Sequence, residues 1–180
     1  MRQGKSMACD DGNAFQPHAE EHRVFLGLGT NLGDRQAHLL QALQYLQSRI
    51  SLEAVSPFYE PDPVGYTSQP SFLNAVCEGR TTLPPRDLLA FVKWVERHMG
   101  RTPTFRHGPR LIDVDVLFYD DLVLRSPELE IPHPGVAERA FVLGPLGDIA
   151  PEFVHPVLKK TVRELALQVG SAGIRPVPRE

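Results

Sequence analysis

The chain has 180 residues, of which 42% are hydrophobic and 23% charged, and these ordinary values predict one globular domain with a sizeable core. A formal net charge of −3 excludes a broad basic surface for nucleic acid or an anionic membrane, so any phosphate recognition must be local. Two distant cysteines, Cys9 and Cys77, predict neither a disulfide framework nor a zinc site. No apolar run approaches the ~20 residues that span a bilayer, and Met1 to Glu21 contains no secretory signal. We expect a cytoplasmic protein with a disordered extension at residues 1–22 and a single domain at residues 23–180.

The first predicted elements are a strand, a helix and a strand. Val24 to Gly29 is a short apolar run, and Asp34 is a good N-cap for a helix at roughly residues 35–48, whose leucines recur at helical spacing. Ile50 to Tyr59 predicts the second strand. Glu60 to Ser71 is a polar loop rich in Pro and Gly, and loops of that length inside compact domains are usually functional.

The following elements complete a recognisable order. Phe72 to Thr82 predicts a third strand, and Pro84 and Pro85 open a helix that runs to about Met99. A loop at residues 101–109 then precedes a strand that contains Asp113 and Asp115. The order β-α-β-β-α-β predicts a ferredoxin-like α+β sandwich, with an antiparallel sheet, both helices on one face and the other face free for a ligand. The remaining sequence predicts a short strand at residues 122–124, turns, short helices and a last helix near residues 161–169.

Two carboxylates on the fourth predicted strand form the most informative feature of the chain. Asp113 and Asp115 lie two residues apart, so they share a face with their stems roughly 6.6 Å apart. Like charges held so close in an apolar strand need a cation, for which Mg²⁺ is the natural candidate. A solvated edge strand is the alternative, but the large apolar residues around the pair favour the metal site.

Three arginines on the preceding loop predict phosphate binding. Arg101, Arg106 and Arg110 would grip a polyphosphate beside the carboxylates, and the Gly- and Pro-rich loop would close over substrate. A solvated loop with scattered charge remains the alternative. Glu96, near the end of the second helix, is by spacing alone a surface charge.

Other candidate residues are weaker when taken singly. The run GLGTNLG is one residue too long for a dinucleotide fingerprint and lacks the lysine of a phosphate-binding loop, so we interpret it as a tight turn that a flat ligand can approach. Phe72 and Asn74 would share a face, offering a ring for stacking and an amide for a heterocycle edge; core packing of Phe72 is equally compatible. His133 lies between two prolines that fix its backbone. It is therefore interpreted either as a site residue or as a structural histidine in a turn.

Together these motifs resemble one family. The run RHGPRLIDVDVL, from Arg106 to Leu117, resembles the signature of the 6-hydroxymethyl-7,8-dihydropterin pyrophosphokinases, and GTNLG, FYEPDPVG, QPSFLN, IPHP and RAF follow the family's order. The resemblance covers roughly Val24 to Leu165 and implies a ferredoxin-like fold. It also implies a reaction of folate biosynthesis, in which the pterin hydroxymethyl oxygen attacks the β-phosphorus of ATP, takes a pyrophosphoryl group and releases AMP.

The resemblance also implies roles for individual residues. Asp113 and Asp115 would hold two Mg²⁺ ions, while Arg101 and Arg110 would stabilise charge on the transferred group. The implied ATP contacts are Glu96, Arg101, Arg110, His133 and Arg139. The implied pterin contacts are Asp62, Val64, Phe72, Asn74 and Phe141. We expect a monomer that binds these two small molecules and neither nucleic acid nor membrane.

Two other functions remain as alternatives. A nucleotidyltransferase of the polymerase-β type also combines a glycine turn with a D-x-D strand, but there the strand follows the turn closely, whereas about eighty residues intervene here. A non-catalytic ferredoxin-like module that binds nucleotide or RNA would need a basic surface or an aromatic RNA-binding strand, which the sequence lacks.

Overall fold

The structure is a computed structural model that describes residues 20–61, 70–101, 109–170 and 173–178. Its strands are β1 (His22–Thr30), β2 (Ser51–Val55), β3 (Phe58–Pro61), β4 (Leu73–Thr81), β5 (Asp113–Tyr119), β6 (Leu124–Arg125), β7 (Glu130–Ile131) and β8 (Ile174–Val177). Its helices are α1 (Arg35–Leu46), α2 (Pro85–His98), α3 (Ala140–Ile149) and α4 (Val162–Val169).

The main sheet has the order β5-β1-β4-β3-β8, and β2 pairs with β4 beside β3. All of these pairs are antiparallel. Together with α1 and α2, this arrangement confirms the predicted ferredoxin-like α+β class. A separate two-stranded sheet joins β6 and β7.

The predicted second strand, Ile50 to Tyr59, is in fact two strands. The interruption falls at Ser56 and Pro57, between β2 and β3. Pro57 has no N–H to donate to a ladder, while the Ser56 hydroxyl accepts a hydrogen bond of 3.0 Å from the Val76 N–H. Because the serine side chain substitutes locally for a main-chain partner, β2 and β3 remain along the same side of β4.

The sheet carries a hydrophobic core on each face. Helices α1 and α2 cover one face through residues such as Leu39, Leu46, Leu88 and Val92. Helices α3 and α4 cover part of the other face through residues such as Val142, Leu143, Leu146 and Leu165. The prediction of a free second face therefore holds only for the part that α3 and α4 leave open.

The helix ends follow from local chemistry. The Asp34 side chain accepts a hydrogen bond from the Ala37 N–H and caps α1, as predicted. Pro85 begins α2, and Gly100 lies just beyond its end with φ of +89°, a conformation that glycine adopts without strain. Thr161 and Glu164 form a capping box at the start of α4.

Several predicted features concern residues outside the described ranges. These are Asp62, Val64, Arg106 and most of the predicted N-terminal extension; the last residue of that extension, His22, begins β1. Among the helices in the described ranges, none is both long enough and apolar enough to cross a membrane.

Candidate active site

A cavity of about 320 Å³ opens on the sheet face beside α3. Gly27 and Gly29 bring main chain of β1 to its wall, and Pro61 borders it from the end of β3. The predicted site residues in its lining are Phe72, Asn74, Arg110, Asp113, Asp115, His133, Arg139 and Phe141. Sequence positions from four strands and one helix thus converge on one cavity.

Asp113 and Asp115 face this cavity from β5, which confirms that they share a face. Val114 between them is buried in the core beneath α1 and α2. Although β5 is the outer strand of the main sheet as described, the carboxylates line a cavity, so the interpretation as a plain solvated edge is wrong.

Asp113 is held between two guanidinium groups. It accepts a hydrogen bond of 2.6 Å from Arg101 Nη1 and another from Arg110 Nη1. Burial opposes ionisation of Asp113, but the positive charges of Arg101 and Arg110 outweigh it and lower its pKa. Asp115 is more open, with a side chain 39% exposed, and its carboxylate lies 4.0 Å from His133 Nε2.

Glu96 is buried, and the interpretation as a helix-surface charge is therefore wrong. Only 3% of the residue is exposed. Its carboxylate lies 2.6 Å from Arg101 Nη1 and accepts hydrogen bonds from Lys93 Nζ at 2.7 Å and the Val114 N–H at 2.8 Å. Glu96 and Arg101 are not in the described lining of the cavity; they reach it through Asp113, which Arg101 contacts.

Asn31 supports a cavity residue, Arg110, and the sequence pattern did not predict this role. It is 1% exposed, and its Oδ1 accepts a hydrogen bond of 2.8 Å from the Arg110 N–H. Its own N–H donates to the Arg110 carbonyl at 3.2 Å, and its side-chain amide donates to the Pro70 carbonyl at 3.2 Å. The only signal in the sequence was a polar residue inside the GTNLG turn, which we interpreted through its glycines.

His133 combines a turn contact with a place in the cavity. Its Nδ1 accepts a hydrogen bond of 3.1 Å from the Gly135 N–H, so in the neutral ring Nε2 carries the proton and faces Asp115. Burial lowers the pKa of His133 although the charge of Asp115 opposes this shift. The two interpretations offered by the sequence are therefore compatible.

Two phenylalanines and an amide give the cavity a distinct chemistry. Phe72 precedes β4 and Phe141 lies in the first turn of α3; both line the cavity. Phe72 is half-buried and is a member of neither described core cluster, so core packing does not account for it. The Arg139 guanidinium lies 5.8 Å from the centre of the Phe141 ring. Two phenyl rings and one side-chain amide, that of Asn74, in the lining of a cavity suit a flat heterocycle.

A second cavity, of about 280 Å³, adjoins the first. Lys93 of α2 and residues 126–130, around β6 and β7, contribute to its lining. Asp115 and His133 line both cavities. The more open carboxylate of the acidic pair therefore lies where the two cavities meet.

Comparison with known proteins identifies the family. Residues 25–151 match the family of 7,8-dihydro-6-hydroxymethylpterin-pyrophosphokinase. The chain is 41% identical over 141 residues to the 2-amino-4-hydroxy-6-hydroxymethyldihydropteridine pyrophosphokinase of Aquifex aeolicus, covering 78% of this chain and 88% of that protein. The enzyme of the same name from Porphyromonas gingivalis is 45% identical over 138 residues, covering 74% and 93% of the two chains. The chain belongs to the hydroxymethylpterin pyrophosphokinase family.

Membership of the pyrophosphokinase family confirms the resemblance seen in the motifs. At the level of the family, it confirms an ATP-dependent pyrophosphoryl transfer to hydroxymethyl-dihydropterin in folate biosynthesis. Wild-type Plasmodium falciparum HPPK-DHPS shares the fold, with a TM-score of 0.66 at 17% identity over 85% of this chain.

Some pyrophosphokinase relatives are much longer than this chain. The folic acid synthesis protein of Dictyostelium discoideum is 42% identical over 161 residues, which are 89% of this chain and 24% of that protein. The chain thus spans about a quarter of that relative, and 44% of the Plasmodium chain.

Proposed function

We propose that the larger cavity binds the pterin, the smaller cavity binds the nucleoside of ATP, and pyrophosphoryl transfer takes place where they meet. The observation that carries this proposal is the position of Asp115 and His133, which line both cavities. A substrate in each cavity would bring its reacting end to the same carboxylate, as transfer between two bound molecules requires.

The pterin assignment rests on the shape and chemistry of the larger cavity. Phe72 and Phe141 offer ring faces, Asn74 offers an amide donor and acceptor for the ring edge, and Gly29 allows close approach to main chain. A Cβ at Gly29 would lie 3.1 Å from Asn74 Oδ1, so a side chain there would crowd the amide. The predicted contacts of Asp62 and Val64 stay predictions.

The ATP assignment rests on the cations that border the junction. Arg110, which contacts Asp113, and Arg139 line the larger cavity, and Lys93 lines the smaller one. Guanidinium groups bind phosphate oxygens with two parallel hydrogen bonds. If the nucleoside of ATP occupied the smaller cavity, its triphosphate would extend toward the larger one and could bind these arginines. The Nε2–H of the neutral His133 ring would add one hydrogen-bond donor for a phosphate oxygen. Glu96 would act on ATP indirectly, by orienting Arg101.

The donor set fits Mg²⁺ that arrives with the nucleotide. Asp113 and Asp115 supply hard oxygen ligands on one face, and Mg²⁺ sites commonly use one or two carboxylates together with substrate phosphates. Within the described ranges no group of three acidic, histidine or cysteine side chains could hold a metal unaided. When bound there, Mg²⁺ would neutralise phosphate charge; that two ions bind stays a prediction.

The pairing of Asp113 suggests how this chain's own residues respond to substrate. Arg101 and Arg110 both contact the Asp113 carboxylate. If phosphate oxygens replace that carboxylate as partners, the guanidinium groups stabilise charge that builds on the transferred group. Glu96 would keep Arg101 oriented during this exchange because it contacts the same Nη1 atom.

Equilibrium binding tests the division into two cavities. Phe72→Ala should weaken pterin binding about tenfold through loss of ring contact and leave ATP binding within about twofold. Lys93→Met, which keeps the apolar part of the side chain, should weaken ATP binding and leave pterin binding nearly unchanged. Titrations with the pterin alone and with a non-hydrolysable ATP analogue measure both. If each variant weakened the binding of both ligands equally, the assignment of separate cavities would be wrong.

The other properties predicted from the sequence stay predictions, namely a monomeric state and a cytoplasmic location. Among the residues that the structure describes, no contact or cavity favours either alternative function, a nucleotidyltransferase or a non-catalytic module, over the transfer reaction.

A further inference from the structure

A partly buried ionic cluster lies beside the larger cavity, outside its lining. The Glu60 carboxylate, with a side chain 12% exposed, accepts hydrogen bonds of 2.5 Å from both Arg35 Nη1 and Ser71 Oγ. Its other oxygen accepts one of 3.0 Å from Arg175 Nη2. Arg35 Nη1 also donates to the Ser71 carbonyl at 2.9 Å. We call these four residues the Glu60 cluster.

The Glu60 cluster joins parts of the chain that are remote in sequence. Arg35 is the first residue of α1, Glu60 belongs to β3, Ser71 precedes β4 and Arg175 belongs to β8. One carboxylate thus connects the start of a helix, both sides of the interval between β3 and β4, and the last strand.

The position of the Glu60 cluster relates it to the pterin site. Glu60 is bonded in sequence to Pro61, and Ser71 is bonded to Phe72. Both Pro61 and Phe72 line the larger cavity. The hydrogen bond from Ser71 to Glu60 therefore joins the two residues next to these wall residues, and it adds to the pairing of Tyr59 in β3 with Asn74 in β4.

The electrostatics of the Glu60 cluster favour a fixed arrangement. Hydrogen bonds from Ser71 and Arg35 lower the pKa of Glu60 to about 2, so it is ionised at neutral pH. Exposed ion pairs hold side chains weakly, but a partly buried carboxylate with three hydrogen-bond donors is held more firmly, and removal of one donor leaves it less well paired. The Glu53–Arg80 pair, between β2 and β4, is the useful contrast, since its side chains are 40% and 43% exposed.

We propose that Glu60 is a positioning residue for the pterin site, acting through Ser71 and Arg35 to hold the walls at Pro61 and Phe72. This inference rests on the proposed pterin cavity. It predicts that the cluster controls affinity for the pterin and leaves affinity for ATP unchanged, since none of its members lines the smaller cavity as described.

The test uses Glu60→Gln and the milder Ser71→Ala, with Glu53→Gln as the matched control. Steady-state kinetics gives KM for each substrate, titration gives the pterin Kd, and circular dichroism with urea unfolding reports the folded state. Glu60→Gln should raise the KM and Kd for the pterin about tenfold, and Ser71→Ala about three- to fivefold. KM for ATP should change less than about twofold in both, and Glu53→Gln should behave like the unmodified chain.

Each outcome separates this inference from the proposed function. If the unmodified chain fails to bind the pterin, the proposed cavity is wrong whatever Glu60 does. If the unmodified chain is active and both variants keep the pterin Kd within about twofold, the positioning role is overturned. If Glu60→Gln does not fold, the test rests on Ser71→Ala. Equal losses of affinity for the pterin and for ATP in Ser71→Ala would show a structural role and overturn the inference.

Discussion

The main-chain N–H of Arg110 donates a 2.8 Å hydrogen bond to the side-chain oxygen of Asn31. This bond connects the end of β1 with the residue that enters the acidic strand β5. Because Arg110 also contacts Asp113, the position of Asn31 bears on the geometry of the carboxylate pair.

Replacing Asn31 by alanine tests this connection. Asn31→Ala leaves the Arg110 N–H without its acceptor, so we expect a loss of about 1–3 kcal/mol in the free energy of unfolding and a fall in kcat of at least about tenfold. Urea unfolding and steady-state kinetics measure the two effects. Ser48→Ala, which removes a hydroxyl that donates to the Tyr45 carbonyl at the end of α1, is the control. A variant with normal kcat would show that Arg110 is positioned without Asn31.

Replacing either carboxylate of β5 should abolish activity, but only the replacement of Asp113 should lower the stability of the protein. Asp113→Ala and Asp115→Ala should each abolish turnover, because each removes an oxygen ligand for the nucleotide-bound metal. Asp113→Ala also leaves two guanidinium groups facing each other and should lower the free energy of unfolding by about 2 kcal/mol. Asp115→Ala should change it little, since its only ion pair as described is the 4.0 Å contact with His133.

The control for the carboxylate variants is Asp121→Ala, an exposed carboxylate in the turn after β5. It should leave both turnover and stability unchanged. Measurable activity in either β5 variant would remove the assignment of that carboxylate to the metal.

Gly135 should control the position of Arg139. A Cβ at Gly135 would lie 2.5 Å from Arg139 Nε, so Gly135→Ala must displace the guanidinium, which is the far end of a flexible side chain. We expect KM for ATP to rise several-fold, to about the level of Arg139→Ala, while the free energy of unfolding changes by less than about 1 kcal/mol. Gly147→Ala is the matched control, because a Cβ there meets no described atom within 4 Å. An unchanged KM in Gly135→Ala would count against contact between Arg139 and ATP.

The Glu60 cluster should also make stability depend on pH. The folded-state pKa of Glu60 is lowered from 4.5 to about 2, so its contribution is present above pH 4.5 and is lost as pH falls toward 2. The difference in free energy of unfolding between the unmodified chain and Glu60→Gln should therefore be constant near neutral pH and shrink across that window. Urea unfolding from pH 7 to pH 3 measures it; a difference that does not shrink would contradict the lowered pKa.

The sequence predicted those parts of the site that depend on local pattern. Alternation along β5 placed Asp113 and Asp115 on one face because side chains of a strand have a period of two. Helix spacing could not reveal that Glu96 lies against β5, since burial depends on which element packs there. A local pattern also cannot show a bond between Arg175 and Glu60, which lie 115 residues apart.

The missed elements have similar physical causes. Strand β8 has four residues and includes Pro176, so it is too short to show alternation. The division between β2 and β3 depends on the contact between Ser56 and Val76 of a different strand. Family resemblance, and not the residue pattern, supplied the identity of the substrates.

The most direct measurement is the identity of the nucleotide product. The unmodified chain is incubated with Mg-ATP and 6-hydroxymethyl-7,8-dihydropterin, and the nucleotides are separated by chromatography. We predict AMP in equal amount to the pyrophosphorylated pterin, and none when the pterin is omitted. Formation of ADP, release of AMP without the pterin, or no turnover would contradict pyrophosphoryl transfer at Asp113 and Asp115.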